Sequence, residues 1–248
     1  MKAVVVGASG YLGPSLIQAV KSRFKDVVGT YNLHPIDGLI QLDVTSSTAP
    51  RILEDYDVVI WAATLYDHPS SLLSGLSSKQ RLVYVSSDVA GCDLALTKDN
   101  QLGRYAQLKS DEEALVSNLS NSIIIRTGPI HGINEAGVLD KRATGLQQDL
   151  HSGKTEFEFW DNVYKNFVPV DKLSGLVARL ADSTQTGLVF AGKHDSQSYF
   201  DFLSKQLRSL SKKTLSTKAV PLNALDAEKM GVCLDTSYHQ DPRAIDLN

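Results

Sequence analysis

Short, continuous runs of apolar and mostly β-branched residues recur along the first half of the chain. Such runs are typical of strands that are buried on both faces of a parallel sheet. They occupy residues 4–6, 27–31, 58–61, 82–85 and 123–125, with a shorter candidate at 39–42. Between the runs the pattern changes from continuous to periodic, which predicts helices that alternate with the strands.

Two of these helices are clear from the sequence. Apolar residues at four-residue spacing form one stripe between the first two strands: Leu12, Leu16, Val20 and Phe24. Pro14 lies in the first turn of this helix, where a missing N–H group costs little. A second helix carries Leu108, Leu115, Val116 and Leu119. Strands that alternate with helices predict an α/β fold, with a doubly wound (Rossmann), mostly parallel sheet.

The pattern loosens after about residue 127. Helical stretches are expected near 173–181 and 200–210, with a strand at 188–190 between them. We therefore predict a Rossmann domain over residues 1–126. Residues 127–248 are predicted to complete the sheet and to form a small interleaved C-terminal lobe.

Composition and charge exclude several classes of protein. The 248 residues are 42% hydrophobic and 21% charged, with a formal net charge of -3. A chain of this kind lacks the basic surface that nucleic acids require, so no nucleic-acid partner is expected. No apolar run approaches the roughly 20 residues that span a bilayer, so no membrane partner is expected. The six histidines show no metal-ligand spacing, and we predict no metal site.

The two cysteines, Cys92 and Cys233, are far apart and form no CxxC motif. The first strand begins only a residue or two after Met1, which leaves no room for a signal peptide. These features predict a cytoplasmic protein with two reduced thiols, although the sequence leaves a single disulfide open.

A glycine-rich turn, residues 7–13, joins the first strand to the first helix. The positive end of a helix dipole and its free N–H groups can hold a pyrophosphate, provided that the backbone approaches closely. Gly7 is expected to allow the tight turn, Gly10 the close approach and Gly13 the packing of helix on strand. The remaining candidates for the cofactor lie in the same turn: Ser9, Tyr11 and Leu12.

The end of the second strand should select the dinucleotide. NAD-selective sites usually carry an acid there for the ribose 2′-hydroxyl, but this strand ends in Thr30, Tyr31 and Asn32. The missing acid favours NADP, with NAD as the alternative because no arginine is present either. After the third strand, Asp43 and Val44 are placed beside the adenine, where Asp43 could bind the amino group or cap the next turn.

Tyr105 and Lys109 lie four residues apart on the predicted second helix, so their side chains share one face. A tyrosine has a reference pKa near 10. A neighbouring ammonium favours the phenolate and makes the group a usable acid at neutral pH. Ser87 ends a strand at its carboxyl edge, where ligands bind in such sheets, and it is our candidate for holding a carbonyl oxygen. The alternatives are a chance YxxxK pair and a serine that caps a turn.

These residues resemble the extended short-chain dehydrogenase/reductase family, and most of all its dTDP-4-dehydrorhamnose reductases, over nearly the whole chain. The stretches that are similar are the glycine turn, Trp61 with Ala62 and Ala63 beside the cofactor, residues 85–88 ending in Asp88, Tyr105 with Lys109, and residues 125–132, 167–171 and 234–237. The resemblance implies a reductase of a keto group on a nucleotide-linked 4-keto-6-deoxy sugar, with Ser87, Tyr105 and Lys109 as its catalytic residues.

The resemblance also implies where the substrate lies. In relatives the regions around Asp88 and around Ile130 and His131 face the sugar, and both depart from the family's pattern here. Trp160 belongs to an aromatic cluster that either packs in the small lobe or walls the substrate site. A single acid, Asp88, follows the catalytic hydroxyl, which disfavours dehydration. Homodimerisation is compatible with the sequence but not indicated by it.

Two other functions fit the same residues. An epimerase would use the same catalytic residues, Ser87, Tyr105 and Lys109, with tightly held NAD. A non-catalytic, NADP-binding regulatory subunit would keep the fold without turnover, as does the regulatory subunit of methionine adenosyltransferase, which resembles the same reductases.

Overall fold

The structure is a computed structural model. It describes residues 1–64, 71–92, 101–192, 196–211, 214–238 and 241–247. No helix in these ranges is both long enough and apolar enough to cross a membrane.

The described chain contains strands and helices in the predicted alternation. The strands are β1 (Lys2–Val6), β2 (Asp26–Tyr31), β3 (Leu39–Gln41), β4 (Val58–Trp61), β5 (Arg81–Ser87), β6 (Ser122–Thr127), β7 (Ile130–His131), β8 (Glu156–Trp160), β9 (Tyr164–Asn166), β10 (Val168–Pro169), β11 (Gly187–Ala191), β12 (Ser196–Ser198), β13 (Ser216–Val220) and β14 (Ala244–Ile245). The helices are α1 (Gly13–Lys21), α2 (Ala49–Leu53), α3 (Ser71–Ser74), α4 (Gln101–Ser117), α5 (Lys141–His151), α6 (Val170–Ala181), α7 (Tyr199–Leu210) and α8 (Ala224–Met230).

Eight strands form one sheet in the order β14-β11-β6-β5-β4-β1-β2-β3. Every pairing in this sheet is parallel. The order reverses at β1, with β2 and β3 on one side and β4 and β5 on the other. This confirms the predicted doubly wound α/β fold. It also places the ends of β1, β4 and β5 at the crevice where such sheets bind ligands.

Helices cover both faces of the sheet, which explains the continuous apolar runs. On one face α1 packs beside α6, and Leu16, Val20, Leu173 and Val177 are fully or almost fully buried. On the other face a second apolar cluster joins α2, α3 and α4 to the same strands. Phe24 lies beyond the end of α1 but is still buried. The predicted stripe therefore identifies the buried face correctly and overestimates the length of the helix by one turn.

The C-terminal half contributes to both the sheet and a smaller lobe. β11 and β14 extend the sheet beyond β6, and α6 covers one of its faces beside α1. β8, β13, α5 and α7 pack around a separate cluster that contains Leu146, Phe157 and Leu207. A further small cluster joins Val163 to Leu222. The lobe is thus interleaved with the sheet along the chain, and it lies next to the ends of β5 and β6.

Cys92 and Cys233 form a disulfide, with Cα atoms 6.5 Å apart. The prediction of two reduced thiols is therefore wrong. The sequence could not reveal the pairing, because 141 residues separate the cysteines and only the fold brings them together. The bond joins the 3₁₀ turn after β5, Asp88–Gly91, to the C-terminal segment that follows α8.

We expect this disulfide to stabilise the fold. Closing a loop of 141 residues removes unfolded-state entropy worth on the order of 2–5 kcal/mol. Cys92→Ser should lower the free energy of unfolding by that amount, measured by chemical denaturation. Cys233→Ser should match it, and dithiothreitol should destabilise the parent but neither variant. A parent protein that unfolds at the same denaturant concentration with and without dithiothreitol would contradict the bond.

Candidate active site

Two adjoining cavities lie at the carboxyl edge of the sheet. The smaller, about 320 Å³, is lined by the glycine turn and the end of β2: Gly7, Ser9, Gly10, Thr30, Tyr31 and Asn32. The larger, about 540 Å³, is lined by Ser87, Tyr105 and Lys109. Ala62 and Thr64, directly after β4, line both cavities. The structure therefore brings the predicted glycine turn and the predicted acid/base group to one continuous cleft.

The three glycines of the turn differ in what surrounds them. Gly7 has a φ of +85°, and a Cβ atom there would lie 2.7 Å from the backbone nitrogen of Ala63. A Cβ at Gly13 would overlap the backbone of Ala8. A Cβ at Gly10 would have one close neighbour, the oxygen of Gly7 at 3.3 Å, and would otherwise project into open space. These surroundings match the expected division into turn, packing and close approach.

Two residues that were expected to contact the dinucleotide, Thr30 and Asp43, make hydrogen bonds within the protein. The hydroxyl of Thr30 accepts a hydrogen bond from the Gly7 N–H group at 3.2 Å, and this side chain is buried. Thr30 thus braces the glycine turn. Asp43 accepts hydrogen bonds from the backbone and hydroxyl of Thr45, which lower the pKa of its carboxyl group. It caps the turn and is not among the lining residues of the smaller cavity, whereas Val44 is.

A partly buried ion pair fixes α4 over the ends of β5 and β6. Glu113 accepts bidentate hydrogen bonds from Arg126, with Nε at 2.9 Å and Nη2 at 2.7 Å. The hydroxyl of Ser86 donates to the same carboxylate at 2.5 Å. Bidentate arginine–carboxylate pairs constrain orientation as well as distance. The pair therefore holds the helix that carries Tyr105 and Lys109 against β6, and Ser86 joins the same carboxylate to β5, the strand that carries Ser87.

Lys109 is 2% exposed, and its ammonium is surrounded by oxygen atoms. Nζ lies 3.0 Å from the hydroxyl of Tyr84, 3.4 Å from Glu112 Oε2 and 3.5 Å from the carbonyl oxygen of Val85. Burial lowers the pKa of Lys109, and the charge of Glu112 partly offsets this effect. Burial also raises the pKa of Tyr84, with Glu112 as the next cause. Tyr84 is therefore a neutral phenol that donates to Glu112.

Asp88 is a candidate substrate contact, but its carboxylate is bound by neighbouring side chains. It accepts hydrogen bonds from Ser87, at 3.1 Å, and from Thr236. Lys165 Nζ lies 3.3 Å from the same carboxylate, and both side chains are more than nine-tenths buried. Asp88 therefore orients Ser87 and neutralises Lys165, although it also lines the larger cavity.

The remaining wall of the larger cavity comes from the C-terminal lobe. Ile130 and Trp160, two of the candidate substrate contacts, line it together with Arg142 and Tyr199. Trp160 packs edge-on against Tyr199, with ring centroids 6.0 Å apart. The structure does not bring His131 to this cavity, because its ring packs against Phe202 instead.

Sequence reasoning missed three residues of this wall: Lys165, Arg142 and Tyr199. Each lies in a separate element, β9, α5 and α7, and no local motif marks it. Tyr11, from the glycine turn, closes the opposite side and donates to the carbonyl of Gly132 at 2.7 Å. Burial raises the pKa of Tyr11 to about 12. Within the described ranges, no group of three or more His, Cys, Asp or Glu residues could hold a metal ion.

No protein-family model and no curated protein matches the chain, but solved structures do. A hypothetical dTDP-4-dehydrorhamnose reductase from Sulfolobus tokodaii is 21% identical, with a TM-score of 0.73 over 100% of this chain and 98% of that one. The dTDP-4-dehydrorhamnose reductase of Bacillus anthracis, in complex with NADP, is 16% identical, with a TM-score of 0.67 over 89% and 84%. The Bordetella bronchiseptica enzyme WbmG, in complex with NAD and UDP, is 15% identical, with a TM-score of 0.66 over 96% and 91%. The chain therefore has the fold of dTDP-4-dehydrorhamnose reductases and of the related enzymes, as the sequence predicted.

Proposed function

We propose that the protein is an NADP(H)-preferring reductase of a keto group, acting on a nucleotide-linked 4-keto-6-deoxy sugar. One observation carries this proposal. The cavity at the glycine turn and the cavity that contains Ser87, Tyr105 and Lys109 adjoin at Ala62 and Thr64. A dinucleotide that lies across this junction has its pyrophosphate at the turn and its nicotinamide beside the acid/base group.

The residues present fit such a dinucleotide. Gly10 leaves room for a pyrophosphate in front of the first turn of α1. Tyr31, Asn32 and Val44 line the adenosine end of the smaller cavity. Asn32 can donate to a 2′-phosphate, and none of the described residues that line this cavity is acidic and would repel one. These features support NADP over NAD.

The chemistry follows from the groups around the larger cavity. A bound reduced nicotinamide supplies the hydride. Ser87 turns its hydroxyl from Asp88 to the substrate's keto oxygen, and Tyr105 gives that oxygen its proton. Lys109 favours the phenolate of Tyr105 that results, because its ammonium lies on the same face of α4.

The far side of the larger cavity supports a nucleotide-linked substrate. Arg142 provides a cationic group at this wall, while Trp160 and Tyr199 provide aromatic surface. Cations suit a diphosphate, and aromatic rings suit a base or the apolar face of a sugar. WbmG, which shares this fold, is solved in complex with NAD and UDP, and this also supports a nucleotide-linked substrate.

Two measurements test the proposal. Fluorescence titration should show saturation by NADPH at micromolar levels and at least tenfold weaker binding of NADH. Mixing the NADPH complex with dTDP-4-dehydrorhamnose, and then with other nucleotide keto-sugars, should consume NADPH absorbance. Absence of binding by either dinucleotide would contradict the cofactor site, and binding without turnover on any keto-sugar would favour the regulatory subunit.

The epimerase remains a second candidate because WbmG, a protein of the same fold, holds NAD together with UDP. An epimerase would retain NAD through purification and would interconvert nucleotide sugars without net consumption of cofactor. Mass spectrometry of the purified protein separates it from the reductase, which is expected to exchange its cofactor freely.

A further inference from the structure

Lys109 shares its buried position with a second charged residue that the proposed chemistry does not use. Glu112 lies one turn further along α4 and is 0% exposed. Its Oε2 atom lies 3.4 Å from Lys109 Nζ and accepts a hydrogen bond from the phenol of Tyr84, which itself lies 3.0 Å from Nζ. The ammonium, the carboxylate and the phenol thus form a closed unit, which we call the Lys109 triad, between α4 and β5.

Stability alone does not account for the Lys109 triad. Two charges lose their hydration there, and the second carboxylate oxygen, Oε1 of Glu112, is buried without a hydrogen-bond partner among the described residues. A buried ion pair of this kind often adds nothing to stability compared with apolar side chains of the same volume. The unit is therefore better explained by what it does to Lys109.

We propose that Glu112 is a positioning residue, which keeps the buried Lys109 side chain charged and directed at the end of β5, beside Tyr105. The inference rests on the proposed function, since a charged Lys109 matters for proton delivery by Tyr105. Tyr84 holds Glu112 in place by donating to it. The contacts from Nζ to Glu112 and to the Val85 carbonyl are long, at 3.4 and 3.5 Å, so Lys109 can still turn to the hydroxyl groups of a bound ribose.

The other titratable groups near Lys109 do not replace Glu112. Burial lowers the pKa of Lys109, Glu112 is the largest influence that raises it again, and Glu113 contributes less. Glu113 is bound by Arg126 of β6, and Asp88, in the turn that packs on α4, is bound by Lys165. From β5, Tyr84 is neutral, and α3 adds leucine side chains to the cluster below α4.

The pH dependence of turnover tests the role of Glu112. In Glu112→Gln the volume is kept and the negative charge is lost, so Lys109 should lose its proton at lower pH. The alkaline limb of kcat, measured with NADPH and dTDP-4-dehydrorhamnose, should therefore move to lower pH by roughly 1–3 units. The matched control is Asp111→Asn, which makes the same charge change at an exposed position of the same helix. Its limb should coincide with that of the parent.

A second readout needs no turnover. Because burial lowers the folded-state pKa of Lys109 below its reference value, the free energy of unfolding rises with pH between the folded and unfolded pKa values. Glu112→Gln should make this rise begin at lower pH than in the parent or in Asp111→Asn. The comparison is made below pH 10. The folded state raises the pKa of Tyr84, so ionisation of this phenol favours unfolding only at pH values above its reference pKa near 10.

The outcomes separate the two proposals. A protein that reduces no keto-sugar contradicts the proposed function, while the unfolding curves still decide whether Glu112 keeps Lys109 charged. An alkaline limb or an unfolding curve that does not move in Glu112→Gln overturns the role of Glu112. If that variant fails to fold, Glu112→Asp replaces it. Its carboxylate is further from Nζ by one methylene, so both curves should move in the same direction by less, and unchanged curves again overturn the inference.

Discussion

Tyr105→Phe is expected to lower kcat for keto-sugar reduction by roughly 10²–10⁴-fold. The substitution removes the phenolic proton and keeps the ring in the wall of the larger cavity. Because the proton is needed only when the keto oxygen gains charge, the loss should fall on kcat and leave the Kd for NADPH nearly unchanged. Stopped-flow absorbance of NADPH oxidation and a fluorescence titration measure the two quantities on the same sample.

A matched control for this experiment is Tyr56→Phe. Tyr56 packs at the edge of the cluster below α2, and it lines neither cavity. Loss of its hydroxyl should leave kcat within a factor of two of the parent. If Tyr105→Phe reduced the keto-sugar as fast as Tyr56→Phe, the assignment of Tyr105 as the proton donor would be wrong.

The strands of the sheet could be predicted because the residues of each strand reflect its burial. β1, β4 and β6 are covered on both faces, so almost every residue is buried and the apolar runs are continuous. The order of the eight strands then follows from the doubly wound pattern. The C-terminal lobe could not be predicted in the same way. β9 and β10 are two or three residues long and take their position from tertiary packing.

The residues of the candidate site also fall into those that a local pattern predicts and those that only tertiary packing brings together. Motifs within one segment, such as Gly7 to Gly13 or Tyr105 with Lys109, could be recognised because their geometry depends on a single turn or helix. Lys165 could not, since it meets Asp88 across 77 positions of the sequence. The sequence predicts Thr30 at the end of β2 as a candidate contact of the dinucleotide, but whether its hydroxyl faces a phosphate or the Gly7 N–H group depends on the register of β2 beside β1.

Glu112 shows a further limit of the sequence. It stands next to Glu113 in a helix with several charges, and nothing local indicates that both are buried. Each carboxylate is buried because a different strand approaches it. β5 brings Tyr84 to Glu112, and β6 brings Arg126 to Glu113. The roles of the two acids are thus set by the packing of α4 across two strands.

Gly10→Ala should abolish tight binding of NADPH while the fold is nearly unchanged. The new Cβ would lie 3.3 Å from the Gly7 oxygen, which small shifts can relieve, but it would project to where the pyrophosphate must approach the backbone. We expect the Kd for NADPH to rise at least 100-fold, which corresponds to about 2.7 kcal/mol. Fluorescence titration measures the Kd, and a thermal melt without cofactor should fall within a few degrees of the parent.

Gly13→Ala is the complementary variant, because its methyl group would overlap the backbone of Ala8, which cannot move aside as a flexible side chain can. It should destabilise the protein itself, by about 1–3 kcal/mol or more, since α1 must shift away from β1. The two variants separate binding from folding within one turn. If Gly10→Ala bound NADPH as the parent does, the pyrophosphate could not lie against this backbone, and the cofactor would have to enter the cleft from the side of Ser87 and Tyr105 alone. A Gly13→Ala protein as stable as the parent would instead show that α1 does not depend on close contact with Ala8.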